Sequence, residues 1–383
     1  MIYLDNAATT PVDPRVKRAM DPYHSEHYGN PGALHTLGQH AQHAINNARE
    51  TAASILHCQT REITFTSGAT ESINLALLGV AHALHEKGKH IITTRIEHHA
   101  VLDTCKALER EGYTVTYLNV DDNGLVNPQN LERAIRTDTI LISIMYANNE
   151  IGTIQDIPSL SAVARKHNII FHTDASQAPG YLDLNINTLG ATMLSLNGSK
   201  IYGPKGTGCL YAHTGTPLRP LFHGGGQEHG LRSGTENVPG IVGFAKAMEL
   251  CEHERHAETT RLTTIRDTMI TAILDTIPGT SLNGHPAKRL PNNVNISFKH
   301  VDGESLVLLL NDHDICAGTG SACMTRTNTP SHVIMALGKS QAHADNSIRF
   351  SLGRHTTKKD MDHVLQLLPR LVEQLRTTHK LAR

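Results

Sequence analysis

The sequence predicts an α/β protein with a mostly parallel sheet, helices on both sheet faces, and a smaller α+β C-terminal domain. Between about residues 60 and 212, short apolar segments rich in β-branched residues alternate with longer helical patterns. This alternation is typical of a parallel sheet that helices cover on both faces. The length of 383 residues also favours one large and one smaller domain.

The elements follow one another in a regular order. The predicted strands of the large sheet are EITFT (62–66), HIITT (90–94), TVTYLNV (114–120), TILISIM (139–145), NIIFHTD (168–174), TMLSLN (192–197) and GTGCLYA (206–212). A long helix begins near Val238. The smaller domain is indicated by NNVNISF (292–298), GESLVLLLNDH (303–313), SIRFSLG (347–353) and MDHVLQLLPRLVEQLR (361–376). We therefore expect a large domain at residues 14–255 and a small α+β domain at residues 1–13 and 256–383.

Composition argues against several classes of partner. Lys and Arg total 35 and Asp and Glu total 36, a net charge of −1 without long runs of either sign. We therefore expect neither direct nucleic-acid binding nor a membrane partner. No apolar run is long enough to cross a bilayer, and the start MIYLDNAATTP has no leader pattern. The six cysteines form no CxxC pair, which fits free thiols in a reducing, cytoplasmic setting.

Histidine is abundant, at 26 residues, so a zinc site has to be considered. The clusters EHHAV and CEHERHAE lack the paired spacing and the third ligand that such a site requires. We therefore expect no metal.

Polar side chains follow the predicted strands at the points where the strands end. The segments are SGATE (67–71), EH (97–98), NNE (148–150), Asp174 with Gln177, and NGSK (197–200). Ligands of open α/β sheets bind beyond the carboxyl ends of the strands. If the strands are parallel, all these groups lie on one rim of the sheet.

One cofactor would use this set of groups. The SGAT segment (67–70) opens a helix, whose N–H groups and positive dipole end can bind a phosphate. Asp174 can hold a protonated pyridine nitrogen and Lys200 can bond to an aldehyde, the pair that pyridoxal phosphate requires. His98 could stack on the ring and move protons. Taken singly, a capping aspartate, a solvated lysine and a surface histidine are simpler interpretations, but together these residues favour pyridoxal phosphate.

Two glycine-rich segments support this interpretation. IYGPKGTG (201–208) makes a rigid turn directly after Lys200. HGGGQEHGLRSGTEN (223–237) allows close backbone approach. In a two-fold homodimer, the commonest assembly, this second loop could complete the partner's phosphate site.

A set of motifs in a fixed order carries a resemblance to a known family. The motifs are YLDNAATTP, FTSGATESIN, EHHAVLDTC, NNEIGTIQDI, HTDASQ, GSKIYGPKGTG, GGGQEHGLRSGT, GSAC and SIRFSLGR. The chain resembles a cysteine desulfurase of the NifS/IscS-like group, on the class V aminotransferase fold, over essentially its whole length. The resemblance implies a pyridoxal phosphate-dependent transferase of fold type I, with the cofactor in the large domain.

The resemblance also implies a role for individual residues. Lys200 would hold pyridoxal phosphate covalently, Asp174 would bind the ring nitrogen, and Gln177 the ring hydroxyl. His98 would stack on the ring and act as acid and base. The remaining implied contacts are Ala69, Thr70, Asn197 and Ser199 to the phosphate, Thr235 to the phosphate from the second subunit, Asn149 to cofactor and substrate, and Arg354 to the substrate carboxylate. For Arg349, the other arginine of SIRFSLGR, a structural role is the simpler interpretation.

The sequence departs from the family pattern at several positions. Asn197-Gly198-Ser199 stands where Ser-Gly-His is usual, and both polar side chains can still donate hydrogen bonds to a phosphate. His229 stands where arginine is common, and Tyr146-Ala147 where His-Val is common. The sequence stops at THKLAR, short of the tail with which many relatives dock an iron–sulfur scaffold protein, so the acceptor stays open.

Cys323 lies in AGTGSACMTRTNTPS (317–331), among small polar residues that could not bury a thiol. In the implied reaction the Lys200 amine removes the Cα proton of L-cysteine, and the Cys323 thiolate attacks the substrate sulfur. Alanine and a persulfide on Cys323 result. We expect the segment to swing between the site and an acceptor protein. An incidental loop cysteine is the alternative interpretation, and a structural role is expected for Cys316 and the other cysteines.

Several other functions stay open from the sequence alone. A selenocysteine lyase or another class V aminotransferase-type enzyme would share the fold, although an aminotransferase needs no loop thiol. A cofactor-bound platform that recruits assembly partners is a further alternative, against which the complete catalytic set argues. The acceptor could serve iron–sulfur cluster assembly or the thiolation of tRNA or DNA.

Overall fold

The computed structural model describes residues 1–320 and 329–381, without the side chains of residues 378–381. Its strands are β1 (Ile2–Tyr3), β2 (Ile63–Thr66), β3 (His90–Thr94), β4 (Thr114–Leu118), β5 (Thr139–Ser143), β6 (Ile170–Asp174), β7 (Met193–Asn197), β8 (Gly208–Ala212), β9 (Thr280–Leu282), β10 (Asn293–Phe298), β11 (Ile315–Cys316) and β12 (Ser347–Ser351).

The described part of the chain contains thirteen α-helices and three short 3₁₀ turns. They are α1 (Pro14–Met20), α2 (Pro22–Ser25), α3 (Thr36–Leu56), α4 (Ala69–Ala83), α5 (His99–Arg110), α6 (Pro128–Ala134), α7 (Ile157–Lys166), α8 (Ile186–Leu189), α9 (Val238–Thr276), α10 (Gly303–Asn311), α11 (His332–Ala336), α12 (Gln341–Asp345) and α13 (Lys358–Leu381). Short 3₁₀ turns cover Thr60–Glu62, Gly198–Lys200 and Glu228–Gly230. Asp, Asn or Ser side chains cap many of the helices, as at Asp13, Asn127 and Asn237.

The central sheet has seven strands in the order β2-β8-β7-β6-β5-β3-β4. Strands β3 to β7 are parallel, and β8 runs antiparallel to both of its neighbours, β2 and β7. Two reversals return β2 to the direction of the parallel strands, so its carboxyl end lies on the same edge as theirs. The predicted mostly parallel sheet is confirmed.

Helices cover both faces of this sheet, which explains why its central strands are apolar runs. Helices α4 and α5 pack on one face around Ile73, Val101 and Leu141. Helices α3, α7 and the first half of α9 pack on the other, around Ile45 and Phe171. With both faces covered, strands such as β5 are buried along their whole length.

A second hydrophobic core lies around the antiparallel sheet β12-β10-β9. It takes residues from α10, α13, the second half of α9 and the N-terminal segment, where Leu4 is fully buried. The predicted domain boundary between residues 255 and 256 falls inside α9, a helix of 39 residues that contributes Phe244 to the first core and Met269 to the second. The domain limits stay a prediction.

Candidate active site

The carboxyl ends of β2, β3, β5, β6 and β7 converge on one cavity of about 230 Å³. Each strand is followed by a turn or a helix start, which directs polar side chains beyond the sheet edge. The residues lining the cavity are Ala7, Ala8, Ala69, Thr70, His98, Met145, Ala147, Asn149, Asp174, Ser176, Gln177, Asn197, Lys200 and Arg349. The strand-end groups expected on one rim are therefore together in the structure.

Asp174 is the last residue of β6 and is only 6% exposed. Its Oδ1 accepts hydrogen bonds from the backbone N–H of Ser176, at 2.9 Å, and from the Ser176 hydroxyl. Among the described residues, the hydrogen bonds to this carboxylate all fall on Oδ1. The geometry leaves Oδ2 as the oxygen that can face a cationic group in the cavity.

Lys200 ends the 3₁₀ turn between β7 and β8. Its Nζ donates a hydrogen bond to the carbonyl oxygen of Ala8, so the N-terminal segment meets the lysine across the cavity. The turn requires a glycine at position 198, because a Cβ there would lie 2.3 Å from Thr207 Oγ1. The lysine is thus fixed by a tight turn on one side and the N-terminal segment on the other.

The turn from β2 into α4 contributes Ala69 and Thr70 to the cavity lining. Gly68 adopts a φ of +147°, a conformation that residues with a Cβ rarely adopt, and caps a helix of 15 residues. Ala69 and Thr70 belong to the first helical turn, whose N–H groups have no partner within the helix. The Asn197 side chain lies across from this turn, with its Oδ1 accepting from the backbone N–H and hydroxyl of Ser199.

His98 is the N-cap residue of α5, and its Nδ1 accepts the backbone N–H of Ala100 at 3.1 Å. The neutral ring therefore carries its proton on Nε2. Burial lowers the pKa of His98 below its ordinary value, with a further contribution from the charge of Lys200, although Asp174 opposes the shift. The ring is consequently a neutral group that can accept or pass a proton.

Two fully buried residues join the strand ends that carry His98 and Asn149. Glu97 accepts hydrogen bonds from the Thr94 hydroxyl at 2.7 Å and from the Met145 backbone N–H at 3.0 Å. Asn148 donates to the Ile96 carbonyl oxygen at 2.8 Å. Burial, with Asp174 adding to it, raises the pKa of Glu97 to about 8, so its carboxyl is protonated at neutral pH.

A buried histidine lies below the cavity. On β6, His172 lies between the hydroxyls of Ser143 on β5 and Ser195 on β7, each 2.9 Å from a ring nitrogen. Burial lowers the pKa of His172 to about 4, so the ring is neutral at physiological pH. A neutral imidazole with both nitrogens hydrogen-bonded joins the strands that carry the site and adds no charge beside Asp174.

Arg349 on β12 reaches the cavity from the second core. It is 1% exposed, and its Nη1 donates to the Asn149 carbonyl oxygen at 3.0 Å and its Nη2 to Asp5 Oδ1 at 2.7 Å. Its Nε is buried without a hydrogen-bond partner in the described part of the chain. A buried guanidinium beside Asn149 is well placed to bind a carboxylate.

Arg354, which the resemblance gave the carboxylate role, lies outside this cavity. Its guanidinium pairs with Asp13 at 2.5 Å and Glu254 at 2.7 Å, and lies 4.4 Å above the ring of Tyr202. It lines a separate space of about 20 Å³ on the other side of Lys200. The structure therefore gives Arg354 carboxylate partners of its own and places Arg349 at the cavity instead.

The other predicted site residues have different positions. Ser199 is hydrogen-bonded to Asn197 without lining the cavity, and Thr235 is exposed in the glycine-rich loop. Cys323 lies outside the described residues. The sequence reasoning missed the lining residues Ala7, Ala8, Met145, Ala147 and Ser176 and gave Arg349 only a structural role, although the motifs YLDNAATTP and SIRFSLGR contain three of them.

Residues 1–320 and 329–381 offer no metal site and no membrane-spanning helix. No group of three or more His, Cys, Asp or Glu residues in these ranges could hold a metal ion. No helix in the described part of the chain combines the length and apolar character needed to cross a membrane. The described cysteines are free thiols: Cys58, Cys105, Cys209, Cys251 and Cys316.

Comparison with known proteins gives consistent matches. Residues 2–364 match the model of the family Aminotransferase class-V. A curated relative from Methanosarcina thermophila, "Cysteine desulfurase IscS", is 52% identical over 375 residues, which are 98% of this chain and 93% of the relative.

Solved structures agree with this relative. "NIFS-LIKE PROTEIN" has a TM-score of 0.92 and 38% identity, covering 97% of this chain and 99% of that chain. "SspA in complex with cysteine" has a TM-score of 0.83 and 40% identity, covering 93% of this chain and 100% of that chain. The resemblance, the fold class and the pyridoxal phosphate dependence predicted from the sequence are confirmed. The chain belongs to the class-V aminotransferase family and, within it, to the pyridoxal phosphate-dependent cysteine desulfurases.

Proposed function

We propose that this enzyme takes the sulfur from L-cysteine, releases L-alanine, and carries the sulfur as a persulfide on Cys323 to an acceptor protein. The observation that supports this most is the meeting of Lys200, Asp174 and His98 in one cavity with Asn149 and Arg349. The cysteine named with the SspA structure supports the same substrate.

The residues of the cavity fit pyridoxal phosphate. A lysine amine, a buried carboxylate and a helix N-terminus match the aldehyde, the pyridine nitrogen and the phosphate of the cofactor. When bound, the cofactor withdraws electrons from Cα of the amino acid, which makes loss of the Cα proton and cleavage of the Cβ–S bond possible. The residues proposed to hold it are Lys200, Asp174, Gln177, His98, Asn149, Ala69, Thr70, Asn197 and Ser199, with Thr235 from the partner subunit.

Arg349 and Asn149 would orient the substrate. We assign the carboxylate to Arg349 because it lines the cavity beside Asn149, whereas Arg354 is already paired with Asp13 and Glu254. The Lys200 amine would be the base that takes the Cα proton. His98 is neutral and can pass a proton at Nε2.

The sulfur step balances with the groups of the chain and the substrate. The Cys323 thiolate forms a bond to the substrate sulfur, and the Cβ–S bond breaks. The electron pair of the broken bond ends as a C–H bond when Cβ takes up a proton, which gives the methyl group of alanine. No external oxidant or reductant enters until an acceptor receives the sulfur.

Two described residues near Cys323 in sequence support its access to the cavity. A Cβ on Gly320 would lie 3.0 Å from Glu150 Oε2, and the Ser331 hydroxyl donates to the same oxygen. Glu150 adjoins Asn149, which lines the cavity.

The assembly and setting are part of the proposal. We expect a homodimer, because Thr235 in the glycine-rich loop is exposed and does not line the cavity of its own chain, so it could complete the phosphate site of a second copy. The acceptor would be an iron–sulfur scaffold or a thiolation protein. Free thiols at the described cysteines favour a cytoplasmic setting.

The experiment measures alanine formation from L-cysteine by the wild type, Lys200→Ala and Cys323→Ala, together with protein-bound persulfide by mass spectrometry. We expect product from the wild type alone, and persulfide on Cys323 when the acceptor is withheld. If only Lys200→Ala lost alanine formation, Cys323 would not be needed and the persulfide step would be rejected. Full activity in all three proteins would reject the whole scheme.

A further inference from the structure

Glu71 lies in the first turn of α4, directly after the residues proposed to bind the cofactor phosphate. Its side chain is 9% exposed, and each of its oxygens has a partner. Oε2 accepts the backbone N–H of Ser67 at 2.9 Å, and Oε1 accepts Nε of Arg232 at 2.9 Å. One carboxylate thus holds the start of the turn and the glycine-rich loop (residues 223–237).

The bond to Ser67 affects which N–H groups a phosphate can use. Because the Ser67 N–H already donates to Glu71, it is not left for a phosphate, and Ser67 does not line the cavity. Ala69 and Thr70 follow in the first helical turn, and both line the cavity. Glu71 therefore orients the turn so that its helical N–H groups remain for the phosphate.

Glu71 is a negatively charged residue beside a site proposed to bind a negatively charged phosphate. A carboxylate near a phosphate dianion repels it, and removing that charge without other effects would strengthen phosphate binding. Burial alone would raise the pKa of Glu71, but the hydrogen bonds from Ser67 and Arg232 together outweigh it and lower the pKa, and the charge of Arg232 balances that of the carboxylate. The carboxylate stays ionised. Its charge disfavours phosphate binding, whereas its hydrogen bond to the turn favours phosphate binding.

The glycine-rich loop has a second attachment, to β2, the strand before the turn, and to α3. Glu228 accepts the backbone N–H of Phe65 at 2.8 Å and forms a two-bond ion pair with Arg49. Phe65 belongs to β2, which leads into the turn. The loop and the turn therefore form one connected unit with two fixed contacts.

We propose that Glu71 is a positioning residue of the phosphate site, acting through Ser67 and Arg232 without touching the cofactor. This inference rests on the proposed function, in which the turn binds the phosphate. A purely electrostatic role predicts stronger phosphate binding when Glu71 is neutralised, whereas positioning predicts weaker binding. The two roles differ in sign.

The test titrates the full-length protein, freed of cofactor, with pyridoxal 5′-phosphate and with pyridoxal, which lacks the phosphate. Visible absorbance of the ligand bound to the protein gives both dissociation constants without reference to turnover. In Glu71→Gln the phosphate must itself hold the turn that a charge-assisted hydrogen bond held before, and this cost corresponds to about 10- to 100-fold in affinity. We expect Glu71→Gln to weaken pyridoxal 5′-phosphate by at least about 10-fold and to change pyridoxal by less than about twofold.

Glu249→Gln is the matched control, because Glu249 pairs with Lys246 on the exposed surface of α9. We expect it to change neither constant. Equal weakening of both ligands by Glu71→Gln would show a general structural role, and unchanged or tighter phosphate-ligand binding would likewise overturn the proposal. A wild type that binds neither ligand would contradict the proposed function itself.

A double-mutant cycle tests the route through the loop. If Glu71 and Arg232 act as a unit, the double variant Glu71→Gln/Arg232→Gln loses no more affinity for pyridoxal 5′-phosphate than the weaker-binding single variant. Losses that multiply would show that Arg232 acts independently of Glu71 and would contradict this part of the proposal.

Discussion

Arg349 and Arg354 belong to the same motif, SIRFSLGR, but have opposite surroundings. Arg349 points from a buried strand to the cavity, with one guanidinium nitrogen on Asp5 and another on the Asn149 carbonyl oxygen. Arg354 follows the strand and is held by two carboxylates. Both arginines have acidic partners that are distant in sequence, and what distinguishes Arg349 is that it lines the cavity while Arg354 does not.

Replacement of each arginine by lysine separates their roles. We expect Arg349→Lys to lower kcat/KM for L-cysteine by about 10- to 100-fold, because lysine cannot reproduce the planar two-bond contact to a carboxylate. Arg354→Lys should lower the free energy of unfolding and leave kcat/KM within about threefold. Steady-state kinetics and urea unfolding of both variants check these outcomes.

Asp5→Asn is the control for that comparison, since it removes the ion pair of Arg349 but keeps the guanidinium. A loss of kcat/KM as large as that of Arg349→Lys would mean that the ion pair, and not the carboxylate contact, is responsible. A larger loss in Arg354→Lys than in Arg349→Lys would reverse the assignment.

Glu97 makes stability depend on pH in a specific direction. In the unfolded chain this carboxyl ionises near its ordinary value of 4.5, while in the folded protein its pKa is about 8. Between these values the folded state keeps a proton that the unfolded state has lost, so rising pH favours unfolding. The stabilising effect is complete below about pH 4.5 and is lost as pH rises through about 8.

Glu97→Gln should therefore flatten the dependence of unfolding free energy on pH between about 5 and 8, measured by urea unfolding of the cofactor-free protein. Glutamine stays neutral and can still accept the bonds from Thr94 and Met145. The exposed Glu249→Gln serves as the control and should keep the wild-type slope. An unchanged slope in Glu97→Gln would show that Glu97 ionises normally in the folded state.

At the scale of elements, the glycine-rich loop holds an unfavourable backbone conformation. Glu228, His229 and Gly230 have consecutive positive φ values of 51°, 58° and 79°. Residues with a Cβ rarely adopt this region, so other contacts must stabilise it. The buried ion pair between Glu228 and Arg49, with its additional bond from Phe65, provides such contacts.

Glu228→Ala should lower the free energy of unfolding by about 3–5 kcal/mol, because it leaves the charge of Arg49 buried and unpaired. Urea unfolding measures this loss. The control is Asp21→Asn, which removes an exposed pair with Lys17 and should cost less than about 1 kcal/mol. Similar losses in the two variants would mean that the Glu228 pair is not a significant anchor of the loop.

At the scale of the whole molecule, the features that could be predicted from the sequence are those that depend on residues close together in the chain. HIITT at residues 90–94 matches β3 from His90 to Thr94, and the polar groups after the strands lie together as expected. The antiparallel insertion of β8 between β2 and β7 did not follow from local pattern, because strand order depends on contacts far apart in sequence. The same reason explains the missed contributions of Ala7, Ala8 and Arg349 to the cavity.

The 39 residues of α9 extend over about 58 Å, about twice the diameter of a small domain. Phe244 and Met269 belong to this one helix but are buried in different cores. Cleavage of the chain near the middle of α9 would therefore leave each core with only half of the helix. Neither fragment could be expected to survive as an independent module. The two hydrophobic cores therefore depend on one shared helix, and we expect them to unfold together.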